Sequence, residues 1–441
     1  MRNFARPLWI GAGCAALGAA AASAQVAPVG QQQLPGALQP TSPAAAGIAS
    51  FYQRWNNPVW FRTGADSAAV NQLIAILDRA PFDGLAEGPQ LAAQVRAAQA
   101  QARSGQPNDI ATADRQLSAA WVAYVQVMKR PTPGMTYVFP YLAPQASRAD
   151  QILLTAANAP SLEAYLASVA NPNILYTQLR DTAVAEAQAK GSATPDPRLI
   201  ANLDRLRSIP AKGRFMVVDA GNQRLTLFEN GHPVDSMKVV AGKPELPTPM
   251  IASIMYYMVY NPYWNVPDHL VRKVTAPNFL KQGNAYLKRQ GYEVMKDWTA
   301  GSAVIPPDQV NWKAVAAGAE HIRVRQRPGA ANSMGKLKFP FPNGLDIFLH
   351  DSPEREYFDR SSRTLSNGCV RLEDARRLGR WLLGTEPQAP SDGAETQVKL
   401  PEGVPIYLTY ITIEAKDGKL SYLADPYGWD SSSAGSMKAG R

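Results

Sequence analysis

Cysteine is almost absent from this chain: Cys14 and Cys369 are the only two in 441 residues. Cys14 lies inside an N-terminal apolar run, so a processed chain retains one thiol and has no intramolecular disulfide. The fold must then rest on its own core, which this length supplies as two or three domains. Histidine is also scarce, with four residues widely scattered, and there is no HExxH and no paired CxxC. Those absences argue against a metal enzyme, and neither metal nor cofactor is expected. No Lys/Arg cluster resembles a nucleic-acid footprint. Beyond the N-terminal run, no apolar stretch approaches the length needed to span a bilayer. The formal charge is +9, or +7 once Arg2 and Arg6 are removed, a mild excess that suits an anionic polymer or envelope surface.

Arg2 and Arg6 precede the apolar run Leu8 to Ala20, and Ala22-Ser23-Ala24 follows in the small-x-small pattern of a signal-peptidase site. Residues 1–24 therefore read as a signal peptide, with the mature chain beginning at Gln25 in the periplasm. Residues 25–47 are Pro/Gln/Ala-rich with almost no charge, the composition of a flexible linker. From 48 to 211 the pattern is helical: Val70, Leu73, Ile74 and Leu77 share one face, as do Leu162, Tyr165, Leu166 and Val169. Ser147 with Asp150 reads as a capping box. The aromatics Phe51, Tyr52, Trp55, Trp60, Trp121 and Tyr124 read as core.

At Lys212-Gly213 the period changes. Strand-like runs at Arg214–Asp219, Arg224–Phe228 and Pro233–Val240 are separated by Ala220-Gly221-Asn222 and Asn230-Gly231, the chemistry of hairpin turns. Further runs follow at Ile254–Tyr260, Leu345–Leu349 and Val404–Ile413, with a helical segment from Asp374 to Leu383. Residues 261–327 form a long, poorly periodic excursion of the kind that builds lids or binding loops. The Ser/Gly-rich tail 431–441 is expected to be disordered. The fold class is α+β and multidomain, a helical half followed by a mainly β domain spanning 212–430.

Cys369 carries the chemistry. A thiol at its ordinary pKa of about 8.5 is only a few per cent ionised at neutral pH, so a nucleophilic role needs a base or a positive field. His350 closes an apolar run and opens a turn at Asp351-Ser352-Pro353, which places it at a strand end. His232 falls in a hairpin turn and reads as solvent-facing, while His269 and His321 lie in the excursion. Gly368 permits a tight turn before Cys369, and amides around it are suited to an oxyanion hole. Ser366 and Asn367 add donors, and Arg371 is suited to holding a carboxylate or orienting the loop.

The order His350, a fifteen-residue spacer, then Ser366-Asn-Gly-Cys369-Val-Arg371 resembles the signature of the L,D-transpeptidase (YkuD-type) catalytic domain. Further blocks are similar to its long, YcbB-like branch: Val240-Ala-Gly-Lys-Pro244 with Thr248-Pro249, Asn261-Pro-Tyr-Trp-Asn-Val-Pro267, Lys338-Phe-Pro-Phe-Pro-Asn343, Leu349-His-Asp-Ser-Pro353 and Asp425-Pro-Tyr-Gly428. The stretch from Phe51 to Trp60 and Asp83-Gly84-Leu85 resembles that branch's helical scaffold domain. The resemblance implies a YkuD-like catalytic domain with 261–327 as a capping insertion. It implies that Cys369 attacks a peptidoglycan tetrapeptide stem, expels D-Ala and passes the acyl group to a neighbouring stem amine as a 3→3 crosslink. His350 is then the base, amides near Gly368 and Cys369 hold the oxyanion, and Ser366, Asn367, Arg371, Phe348 and Trp264 contact substrate. Carbapenem acylation of Cys369 and partnership with cell-wall synthesis proteins are further implications. Asn367 stands where many relatives carry a second histidine. No small peptidoglycan-binding repeat precedes Lys212, so docking falls to the helical domain and the insertion.

A papain-like protease is disfavoured because its nucleophile precedes its histidine. An L,D-carboxypeptidase or a lipoprotein-anchoring transferase differs only in whether water or a lysine takes the thioester. A non-catalytic wall scaffold is the remaining alternative.

Overall fold

A computed structural model describes residues 42–430 except 146, 193, 300, 390–392 and 394. The expected signal peptide, most of the linker and the tail lie outside the described residues. The helical half comprises α1 (Pro43–Arg54), α2 (Ala68–Arg79), α3 (Gly88–Ala102), α4 (Pro107–Met128), strand β1 (Thr136–Tyr137), α5 (Ala149–Asn158), α6 (Leu162–Ala170), α7 (Ile174–Ala189) and α8 (Pro197–Leu206). The end of the expected linker is already helical. Ser42 caps α1 through a 3.1 Å bond from the Ala45 N–H, with Pro43 at the first position. Val70, Leu73 and Leu77 of α2 and Leu162, Leu166 and Val169 of α6 are buried, as the stripes require.

One local expectation fails for an identifiable reason. The capping box at α5 does not form; Arg148 occupies the cap with no side-chain bond, because the Asp150 carboxylate is held by Arg148 at 2.8 Å and Arg54 at 3.5 Å. Of the six aromatics, Phe51, Trp60, Trp121 and Tyr124 are core. Tyr52 and Trp55 are half-buried, pack against that core and line clefts beside Arg115.

The β-rich half begins with β2 (Phe215–Asp219), β3 (Arg224–Glu229), β4 (His232–Gly242) and β5 (Ile251–Tyr260). The excursion folds as its own layer: β6 (Trp264–Val266), α9 (Asp268–Leu270), α10 (Ala276–Gln282), α11 (Asn284–Gln290), β7 (Tyr292–Met295), β8 (Val304–Ile305), α12 (Trp312–Ala317) and β9 (Arg323–Gln326). Its sheet has the order β6-β9-β7-β8, and Val266, Val271, Leu287, Trp312 and Val324 form a separate small core. After it come β10 (Leu337–Pro340), β11 (Phe348–His350), β12 (Thr364–Ser366), β13 (Val370–Leu372), α13 (Ala375–Leu383), β14 (Thr396–Thr409), β15 (Ile413–Lys416) and β16 (Lys419–Tyr422).

The main sheet has the order β1-β5-β10-β11-β13-β4-β3-β2-β14, and β14 also pairs with β5, so the sheet closes on itself. One face buries Met216, Leu227, Val239, Phe339, Leu349 and Val370 against Leu378 and Leu382 of α13. The other face contributes Phe215, Phe228 and Tyr407 to the core of the helical half. Two further ties bind the halves. The helical half donates β1 to the sheet beside β5, and Asp430 pairs with Arg198 at 2.6 Å and Arg205 at 2.7 Å on α8. No described helix is long and apolar enough to cross a membrane.

Candidate active site

Strand register assembles the site. β11 and β13 run parallel with Leu349 beside Val370 and His350 beside Arg371. β10 lies antiparallel on the other side of β11, with Lys338 opposite His350. Side chains alternate between faces along a strand. Phe339, Leu349, Val370 and Leu372 therefore enter the apolar core, while Lys338, Phe348, His350 and Arg371 share the opposite face; Cys369, the residue before β13, is half-buried and packs against the edge of that core. A residue pattern that looks irregular in sequence thus becomes a core face and a polar face.

His350 is buried, and its Nδ1 lies 2.6 Å from the Asp351 carbonyl oxygen. A carbonyl only accepts, so Nδ1 carries the proton and Nε2 is the basic nitrogen. Burial, and then the positive charges of Arg371 and Lys338, push its pKa down to about 3. The ring is neutral at neutral pH, in the form a base requires.

Cys369 is a half-buried thiol in no disulfide, and its Sγ lies 3.6 Å from the Asp346 carbonyl oxygen. Asp346 has φ +52°, a backbone state stabilised from within its turn. Asn343 Oδ1 accepts from the N–H groups of Leu345 at 3.1 Å and Ile347 at 3.0 Å, and its Nδ2 donates to the Phe341 and Ile347 carbonyls. This turn also explains why the run Leu345–Leu349 yields a strand only from Phe348.

The cysteine loop is held from below. Gly368 has φ +112°, a region L side chains rarely occupy. Ser366 Oγ accepts from the Gly368 N–H at 3.1 Å and donates to the Cys369 carbonyl at 2.6 Å. Thr248 Oγ1 donates to the Gly368 carbonyl at 2.8 Å and accepts from the Gly242 N–H at 2.9 Å. The Tyr427 hydroxyl donates to the Gly242 carbonyl at 2.6 Å and accepts from the Thr248 N–H at 3.3 Å. A continuous polar path thus runs from the closing segment to the residue before the thiol.

The remaining sequence-derived residues fall in distinct places. Ser366 is buried and closes the loop on itself, whereas Asn367 is exposed at its tip. Arg371 is paired with Glu354 at 2.8 Å and stacks over Tyr357 at 5.3 Å, so it organises the segment after β11. Phe348 sits edge-on to His350 at 5.8 Å between ring centroids. Trp264 belongs to another sheet, where β6 pairs it with Gln326, and it packs on the insertion's core. His232 is exposed in its hairpin, His269 is half-buried on α9, and His321 is exposed and bonded to Asp268 at 2.9 Å. Thr248, Lys338 and Tyr427 fall in blocks of the family resemblance, but the sequence assigns no site role to them or to Asp346. A further signal for Lys338 is the alternation in Lys338-Phe-Pro-Phe, which separates it from the core-facing Phe339.

Residues 213–402 match the family model for the L,D-transpeptidase catalytic domain, called YkuD, and residues 46–182 match the Scaffold domain. A relative from Haemophilus influenzae, named "Putative L,D-transpeptidase", is 26% identical over 382 residues, covering 85% of this chain and 76% of its own length. A solved structure of the Ldtfm–avibactam carbamoyl enzyme aligns at 13% identity with a TM-score of 0.23 over 46% of this chain. The chain spans half the length of that protein, and so partial an alignment carries no weight here. The chain therefore joins a Scaffold domain to a YkuD-type L,D-transpeptidase catalytic domain, and it is an enzyme of that class.

Proposed function

We propose that the protein is a periplasmic peptidoglycan L,D-transpeptidase that forms 3→3 crosslinks through an acyl-enzyme on Cys369. The observation that supports this reading is the parallel β11–β13 pair, in which His350 is partnered by Arg371, two residues after Cys369. In the first step Cys369 Sγ attacks the carbonyl of the L-centre residue of a tetrapeptide donor stem while His350 Nε2 takes the thiol proton. The tetrahedral intermediate collapses, the bond to D-Ala breaks, and the proton passes to the departing amine. In the second step an amine of a neighbouring stem attacks the thioester, gives its proton to His350 and releases the thiolate. The Gly368 N–H is engaged by Ser366, so an oxyanion there either exchanges that bond or draws on another amide of the loop. Arg371 is committed to Glu354; Asn367 and Phe348 are the exposed and half-buried groups of the set available to a stem peptide. Export by residues 1–24 supplies the compartment.

Mass spectrometry of disaccharide-tetrapeptide incubated with wild type and with Cys369→Ala tests the reading. Dimers with loss of D-Ala in the wild type alone are expected. Tripeptide alone would replace it with a carboxypeptidase, and turnover retained by Cys369→Ala would remove the nucleophile.

A further inference from the structure

Lys338 and Arg371 are two cations beside His350, and among the described residues only Arg371 has a carboxylate within ion-pair distance. Arg371 is neutralised by Glu354 at 2.8 Å. Lys338 makes no ion pair among the described residues, and its Nζ stands 4.1 Å over the Phe348 ring centroid. One step back along the β11–β13 register from Leu349 and Val370, Phe348 adjoins Cys369. Lys338 on β10 and Cys369 just before β13 are therefore two strands apart, about 10 Å between backbones, with the lysine Nζ above the Phe348 ring of the intervening strand.

We propose that Lys338 is the counter-charge of the Cys369 thiolate that forms when His350 takes the thiol proton. The proposal rests on the reading of Cys369 as nucleophile. The physical need for it comes from His350. A buried imidazole flanked by Arg371 and Lys338 is a poor proton acceptor, and proton transfer is efficient only when donor and acceptor are matched. The same positive field that weakens the base strengthens the acid, because it stabilises negative charge on sulfur. Lys338 is itself consistent with this placement: burial pushes its pKa down, while Cys369, Glu395 and Asp346 push it up. The charged groups near the site are thus Lys338 from β10, Arg371 with its partner Glu354, and Asp346 in the turn before β11, with the neutral, titratable His350 on β11. Glu395 lies on the Lys338 side, where its carboxylate accepts from the Tyr263 N–H at 2.9 Å. No bond forms or breaks at Lys338, and no redox partner is needed.

The test is the pH dependence of iodoacetamide alkylation, with the adduct located on Cys369 by peptide mapping, for wild type, Lys338→Met and Lys338→Arg. Methionine keeps the stem over the ring and removes the charge; arginine keeps the charge. Lys338→Met is expected to raise the alkylation midpoint by about one unit or more, about a tenfold slower reaction at pH 7, with Lys338→Arg close to wild type. A midpoint that does not move in Lys338→Met, with the thermal transition retained, would overturn the assignment, as would a wild-type midpoint at the ordinary thiol value. Alkylation reads the thiol without any turnover. Donor turnover persisting in Cys369→Ala would therefore defeat the nucleophile reading and leave this titration legible, whereas an unmoved midpoint beside inactive Cys369→Ala defeats Lys338 alone.

Discussion

Replacing Thr248 by valine isolates the support under the cysteine loop. The two side chains have nearly the same shape, so the change removes one hydroxyl and little else. That hydroxyl is 2.8 Å from the Gly368 carbonyl and 2.9 Å from the Gly242 N–H, and Thr248 is 1% exposed. Gly242 and Gly368 are buried as well, so neither group recovers a water partner without moving the backbone. Leaving each unsatisfied costs roughly 1–3 kcal/mol, partly offset by relaxation, and Thr248→Val is expected to lose about 2–4 kcal/mol of stability. The easiest relaxation is rotation of the Gly368 peptide, which adjoins Cys369. A displacement of about 1 Å at a reacting group can cost on the order of 100-fold in rate, so acylation should fall further than stability alone explains. Urea unfolding gives the first quantity, and the rate of acyl-enzyme formation with tetrapeptide donor gives the second. Thr248→Ser restores the hydroxyl and should recover most of both. Wild-type stability within about 0.5 kcal/mol and an unchanged acylation rate in Thr248→Val would refute the argument that this bond holds the loop.

Two further predictions concern stability. His350 has a folded pKa of about 3 against an ordinary value of 6.5, so the unfolded chain binds the proton first and stability is lost as pH falls from 6.5 toward 3. Relative to His350→Gln, the wild type should lose about 3–5 kcal/mol over that window; parallel stability-against-pH curves for the two proteins would contradict the buried neutral ring. Asp430→Ala removes the partner of Arg205, which is 2% exposed. Stranding that charge should cost about 3–5 kcal/mol in equilibrium unfolding, and a loss below about 1 kcal/mol would show that the closing segment does not bind the two halves.

Much of the architecture is legible locally. The stripes of α2 and α6 and the hairpin signals around β2, β3 and β4 each arise from neighbours in sequence, and the structure places them where period and turn chemistry require. The paired roles of Cys369 and His350 are suggested by motif order, whereas the parallel register that puts His350 beside Arg371, two residues after Cys369, is not legible there. What escapes the sequence is set by which partner each polar group finds, some near and some distant. Asp150 looks like a cap until Arg54 and Arg148 take its carboxylate. Ser366 looks like a substrate donor until its bonds to Gly368 and Cys369 are seen. The excursion looks aperiodic because its strands are two to four residues long and find one another across helices. Thr248 and Tyr427 lie 120 and 59 residues from Gly368 and Gly368's loop respectively, and no local pattern links them.

The central claim is that Cys369 carries the acyl group between donor and acceptor. It is tested most directly by intact-protein and peptide mass spectrometry of the enzyme quenched with tetrapeptide donor and no acceptor. The account predicts an adduct equal to the donor less D-Ala, on Cys369, absent from Cys369→Ala and accumulating more slowly in His350→Gln. Donor turnover with no adduct at Cys369, or with the adduct on another residue, would contradict it.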